Sequence, residues 1–175
     1  MSPVLEPRPS RRPLGALRLA VGLLALSAGA AACRSLAGLP PSLRACPGPV
    51  RSTHEMPGDF TRSERIRVRG EGVDESFGLV VQKRGARLVV LGTNAFGAKV
   101  FAVTQLGDAI ESRSFVGPAL SVPPENILRD LHRAYFLAPE QQAASERSAE
   151  PTPSGVRIES ERCGYESLLL AISQQ

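Results

Sequence analysis

Two histidines, His54 and His132, and three cysteines, Cys33, Cys46 and Cys163, are all the chain has of either type, and they are far apart. A zinc site needs such ligands at short, fixed spacings, so none is expected and no metal or cofactor is assigned. Both histidines read as structural or exposed. No Ser-His-Asp order, no phosphate-binding glycine loop and no cluster of acid–base side chains occurs, which argues against an enzyme. Tryptophan is absent, aromatics make up 5% of the chain, and Lys83 and Lys99 are the two lysines against nineteen arginines, a bias of composition rather than a binding device. A surplus of positive charge is also missing once the N-terminus is set aside. The net charge is +4, but Arg8, Arg11, Arg12 and Arg18 against Glu6 supply +3 of it within the first 32 residues. The remainder, about +1, offers no long-range attraction for phosphates, and nucleic acid is excluded as a partner.

No apolar run is long enough for a comfortable membrane span. Leu19 to Ala32 carry no charge, but fourteen residues fall short of the roughly 20 that a spanning helix needs. Behind four arginines, the run has the form of the apolar part of a secretory signal. Ala30-Ala31-Ala32 then lead directly into Cys33. This resembles a bacterial lipobox, with Ala30 where the pattern prefers Leu. The resemblance implies cleavage before Cys33, diacylglycerol on its thiol and stable attachment to the membrane through that residue. Arg34 in the next position implies sorting to the outer membrane, on the periplasmic face. Ordinary cleavage after Ala-x-Ala, or a retained single-pass anchor, are the alternatives. In an oxidising compartment the remaining pair, Cys46 and Cys163, is expected as a disulfide, the alternative being two thiols.

The organisation follows. Residues 1–32 form the signal. Residues 33–57, with Pro40, Pro41, Pro47, Pro49 and Pro57, read as a tether, and the domain occupies 58–175. Helical periodicity is missing between the strands of the first half, which excludes βαβ units. "RIRVRG" alternates Ile66 and Val68 with arginines. "FGLVVQKRGARLVVLG" is two apolar runs about Lys83-Arg84-Gly85, and "KVFAVTQLGDAIESRSFVG" repeats this about Gly107-Asp108. The single clear helix lies in "SVPPENILRDLHRAYFL". Ser121 is its expected N-cap, Pro123-Pro124 begin its first turn, Ile127, Leu128, Leu131, Ala134 and Tyr135 form its apolar stripe, and Arg129, Asp130 and Arg133 face away. "QQAASERSAEPTPSG" reads as a mobile loop, and strands are expected over 156–161 and 165–173. The expected fold is α+β: a curved antiparallel half-barrel of about six to eight strands around one main amphipathic helix. Ile66, Val68, Phe77, Leu79, Val90, Val103 and Leu131 would line its apolar concavity.

"LGTNAFGAKVFAV" followed by "LSVPPENILRDLHRAYFL" is similar to the outer-membrane lipoprotein receptor LolB, which carries a strand–loop–strand and later a Pro-led amphipathic helix. More closely, residues 60–173 resemble a small bacterial lipoprotein family that shares the LolA/LolB-like fold and is often encoded near fatty-acid-type or polyene biosynthesis genes. The resemblance implies a half-barrel whose concavity takes acyl chains. It also makes Phe96, in the loop Thr93-Asn94-Ala95-Phe96-Gly97, the residue that enters the membrane; the alternative has Phe96 folding back onto the sheet. The function expected is that of a monomeric, membrane-anchored lipoprotein that binds or transfers an acyl or polyene lipid, or the acyl part of a lipoprotein. A structural envelope lipoprotein with a filled core, acting through protein contacts, is the alternative.

Overall fold

The computed structural model describes residues 42–143 and 148–174. The expected signal at 1–32, Cys33 and the first part of the tether lie outside the described residues. Eight strands form one antiparallel sheet: β1 (Phe60–Gly70), β2 (Val73–Arg84), β3 (Arg87–Thr93), β4 (Lys99–Leu106), β5 (Ala109–Ser114), β6 (Ser148–Thr152), β7 (Gly155–Ser160) and β8 (Tyr165–Gln174). The order across the sheet is β5-β4-β3-β2-β1-β8-β7-β6, so two meanders are joined where the last strand pairs with the first. Between them the chain makes helix α1 (Pro124–Tyr135) and a short α2 (Pro139–Ala143).

The alternation of the sequence fixes which face each strand buries. On β1, Ile66 and Val68 are buried while Arg65, Arg67 and Arg69 are exposed. Cross-strand register stacks the buried set in rows, Ile66 opposite Phe77 and Val90 opposite Val103. Helix α1 touches β4 and β5 on one wing and β7 and β8 on the other. Both wings meet one helix only if the sheet curls around it. The fold is therefore an open antiparallel sheet about a single main helix, with the core between them.

One glycine sets the packing of the β3–β4 pair. Gly92 lies opposite Phe101, and a Cβ there would come within 2.2 Å of the Phe101 ring. Phe101 is fully buried and edge-on to Phe77, 5.5 Å between centroids, so it has nowhere to retreat. Gly92→Ala is expected to cost about 1–3 kcal/mol by overpacking, read as a lower urea midpoint at unchanged slope.

Four sequence expectations are corrected. Residues 42–57 are not a free tether: Leu43, Cys46, Thr53 and Met56 are buried against the sheet and helix. Apolar and hydrogen-bonding side chains scattered among the prolines outweigh the spacer-like composition. Ser121 does not cap α1. The residue preceding the helix is Pro123, which makes no side-chain cap, and the Ser121 carbonyl accepts the Leu43 N–H at 2.7 Å. Asp130 and Arg133 do not face solvent. They are 0% and 5% exposed, because the curled sheet and residues 42–51 cover α1 on several sides. Finally, the stretch 141–155, expected as a mobile loop, contains the end of α2 and edge strand β6, which pairs with β7 from Ser148–Glu159 to Thr152–Gly155.

Candidate functional site

The seven residues expected to line a concavity come from five elements: Ile66 and Val68 on β1, Phe77 and Leu79 on β2, Val90 on β3, Val103 on β4 and Leu131 on α1. The fold brings all of them together. They are 0–5% exposed and belong to one hydrophobic cluster that also contains Leu88, Phe101, Ile127, Leu128, Ile158 and Leu169. Two surface depressions of about 390 and 230 Å³ lie at the β2–β5 side and share Arg87. Neither is lined by any of the seven.

Three polar groups interrupt this apolar interior, through contacts the sequence did not reveal. In the first, the Tyr135 hydroxyl donates to the Glu64 carboxylate at 3.0 Å, Arg62 Nε lies 3.0 Å from the same carboxylate, and the Arg62 guanidinium stacks 3.8 Å above the Tyr135 ring. Burial raises the Glu64 carboxyl above its ordinary value, against the opposing pull of Arg62 and Tyr135. Burial also raises the Tyr135 hydroxyl, with Glu64 adding to the shift. The signal was in the period: one step back from Ile66 and Val68 places Glu64 on the inward face.

In the second group, Asp130 on α1 accepts from Ser167 at 2.9 Å and from the Tyr165 hydroxyl at 3.3 Å, tying the helix to β8. Asp130 sits three residues after Ile127 and four before Ala134, at the margin of the apolar stripe rather than within it. In the third, His132 Nδ1 accepts the Arg51 N–H at 2.9 Å while Nε2 lies 2.8 Å from Gln105 Oε1. The Gln105 amide donates to the carbonyls of Arg51 and Gly107, at 2.9 and 2.8 Å, which leaves its oxygen to accept. His132 is therefore neutral with its proton on Nε2. Burial, and secondarily the Arg129 charge, hold its pKa down to about 4. No group of three or more potential metal ligands occurs among the described residues.

Residues 42–57 are held by the third of these groups, through Arg51, and by further ties. Asn126 accepts the Cys46 N–H at 2.7 Å and donates to the Arg44 carbonyl at 2.9 Å. Cys46 and Cys163 are joined in a disulfide, Cα atoms 5.8 Å apart.

Phe96 stands apart from the core. It is 96% exposed at the tip of the β3–β4 hairpin, so it does not fold back onto the sheet. Asn94 explains why it stays outward. Its side-chain oxygen accepts the N–H groups of Phe96 and Ala98, each at 3.0 Å, and its backbone closes the loop with Gly97 and Ala98. Gly97, at φ 78°, takes the left-handed conformation that completes the turn. The loop is thus tied by its own hydrogen bonds and presents a bare aromatic ring.

Residues 61–168 match the family model of a protein family of unknown function, DUF3261. That match covers more than half of the chain. The protein belongs to the DUF3261 family. The matched stretch runs from the start of β1 into β8, so in this DUF3261 protein it contains α1, all seven core residues and the Phe96 hairpin. No curated protein matches the chain.

Proposed function

We propose that this protein is a lipid-anchored protein of the bacterial outer membrane, on its periplasmic face, that binds or transfers a hydrophobic ligand on a LolA/LolB-like fold. The supporting observation is an open sheet whose inward face is apolar from β1 to β4 and is faced by a single main helix. The edge strands β5 and β6 are at opposite ends of the strand order, so the wings can part about α1 without breaking a strand pair. Acyl or polyene chains, or the acyl part of a lipoprotein, would enter between α1 and the residues Ile66, Val68, Phe77, Leu79, Val90 and Val103, with Leu131 on the helix side. Acylated Cys33 holds the chain to the membrane and Phe96 enters it. The protein acts as a monomer, without cofactor, nucleic acid or covalent chemistry. Transfer is a difference in burial free energy, about 0.8 kcal/mol for each methylene moved from water.

A second reading has its own support. The seven side chains are nearly sealed, and α1 is hydrogen-bonded to both wings and to residues 42–51. A filled core of this kind suits a structural envelope lipoprotein that works through protein contacts. Native mass spectrometry of the full chain from a lipid-producing host separates the two. The proposal expects a co-purified lipid mass that Leu131→Trp displaces. A bare protein mass, with Leu131→Trp merely destabilising, favours the scaffold.

A further inference from the structure

Six large hydrophobic side chains are exposed among the described residues, and three of them, Phe96, Phe115 and Val116, sit at one end of the sheet. The register places them together. β4 leaves the Phe96 loop at Lys99, β5 ends at Ser114 opposite Phe101, and the Phe115 N–H continues the ladder to the Val100 carbonyl at 2.8 Å. Phe115 is therefore the neighbour of the strand that carries the Phe96 loop. Residues 94–99 and 115–119 are all exposed, and they are mostly small or apolar: Ala95, Gly97, Ala98, Gly117, Pro118 and Ala119 accompany the rings.

The two loops that carry the rings have charges of one sign, and the acidic residues at this end, Glu71, Asp74 and Glu75, belong to the β1–β2 hairpin. The stretches 93–102 and 112–120 contain Lys99 and Arg113 and no Asp or Glu. Both cations are exposed, and the Arg113 guanidinium lies 5.3 Å over the Phe115 ring, at the margin of the apolar surface. Apolar rings backed by cations on their rim complement an acyl–headgroup boundary that carries negative charge.

We propose that Phe96, Phe115 and Val116, with Lys99 and Arg113, form one docking edge that seats the domain on an anionic lipid bilayer. This rests on the proposed action at a membrane and extends the single inserted ring to a two-loop surface. It fixes the orientation of the domain: the β3–β4 and β5–α1 loops face the bilayer, and the Gly85 and Gly107 turns point away from it.

The absence of tryptophan supplies the test. Full-length chains carrying Phe96→Trp, Phe115→Trp or, as a mid-sheet control, Val80→Trp each contain a single indole. They are mixed with vesicles of phosphatidylcholine alone or with about 30% phosphatidylglycerol, enough to give the surface a negative potential. The indoles of Phe96→Trp and Phe115→Trp are expected to shift to the blue and to be quenched by lipids brominated high in the acyl chain, more strongly on the anionic vesicles, while that of Val80→Trp is unmoved. Added to the Phe96→Trp chain, Lys99→Gln and Arg113→Gln are each expected to lower the ratio of inserted to water-exposed indole about fivefold on the anionic vesicles. Indoles of Phe96→Trp and Phe115→Trp that keep their water-exposed emission overturn the proposal. So does a shift that needs no vesicles and grows with protein concentration, which would assign the edge to a second copy. The mass of the Cys33 peptide is read on the same samples. An acylated chain that floats with vesicles while its indoles stay wet loses the edge but keeps the anchor, and inserted indoles on an unacylated chain do the reverse.

Discussion

Removing the disulfide with Cys46→Ala/Cys163→Ala is expected to lower stability by about 4–5 kcal/mol, the loss for opening a loop of the order of a hundred residues. The bond closes a loop across a sequence separation of 117 residues, nearly the whole domain. Its anchor points are well placed for the full effect. Cys46 is 2% exposed, its N–H is held by Asn126, and its segment carries Leu43, Thr53 and Met56 into the core. Cys163 lies in the tight turn between β7 and β8, ended by Gly164 in the left-handed conformation. The loss should appear as a melting temperature lower on the order of 10 °C, reproduced in the natural sequence by reductant. An unchanged melting temperature, with faster amide exchange confined to residues 42–57, would show that the bond restrains that segment alone.

The second large effect is a dependence on pH that belongs to His132. Its pKa is about 4 in the folded chain against 6.5 for the free side chain. Below 6.5 the unfolded chain takes up a proton that the folded chain refuses. Stability from this group is therefore intact above pH 6.5 and falls continuously towards pH 4. The fall is about 3 kcal/mol, at 1.36 kcal/mol for each pH unit. Glu64 works in the other direction. Its folded pKa is raised, so its contribution is present at low pH and is lost as pH rises through the folded value, which partly hides the His132 slope. The comparison of interest is the natural chain with His132→Gln. Whatever its stability at pH 7, the variant should lose about 3 kcal/mol less between pH 6.5 and 4, measured by urea unfolding at each pH. Parallel profiles for the two chains would mean that His132 is not buried neutral.

Much of the sheet was legible because its strands alternate cleanly. Ile66 and Val68 between arginines, and the turns at Gly85 and Gly107, mark β1 to β5 within a few residues. The helix was equally plain in Ile127, Leu128 and Leu131. Its polar side was misread, since helical spacing tells which residues share a face but not how many faces will be covered. Asp130, His132 and Arg133 are ordinary surface types until residues 42–51 and β8 close over them. β6 was hidden for a related reason: Ser148 to Thr152, with Pro151 near its end, has loop composition, and only the ladder to β7 makes it a strand. The prolines of 42–57 concealed a segment whose few buried side chains and backbone groups find partners far along the chain. Of the candidate site, the apolar inward face could be read from periodicity. The Glu64–Tyr135 and His132–Gln105 contacts could not, because each joins residues 27 or more apart.

The pairing of β1 with β8 has a temporal consequence. The strand that begins the sheet lies in its middle, and one of its two neighbours is the last strand of the sheet to be synthesised. Any nascent chain that stops short of Tyr165 leaves β1 as a raw edge and α1 without the Tyr165 and Ser167 hydroxyls that hold Asp130. Contacts of such long sequence separation also slow folding. The two meanders are thus joined into one sheet only after β8 emerges, whatever local pairing β1 to β5 have made before then.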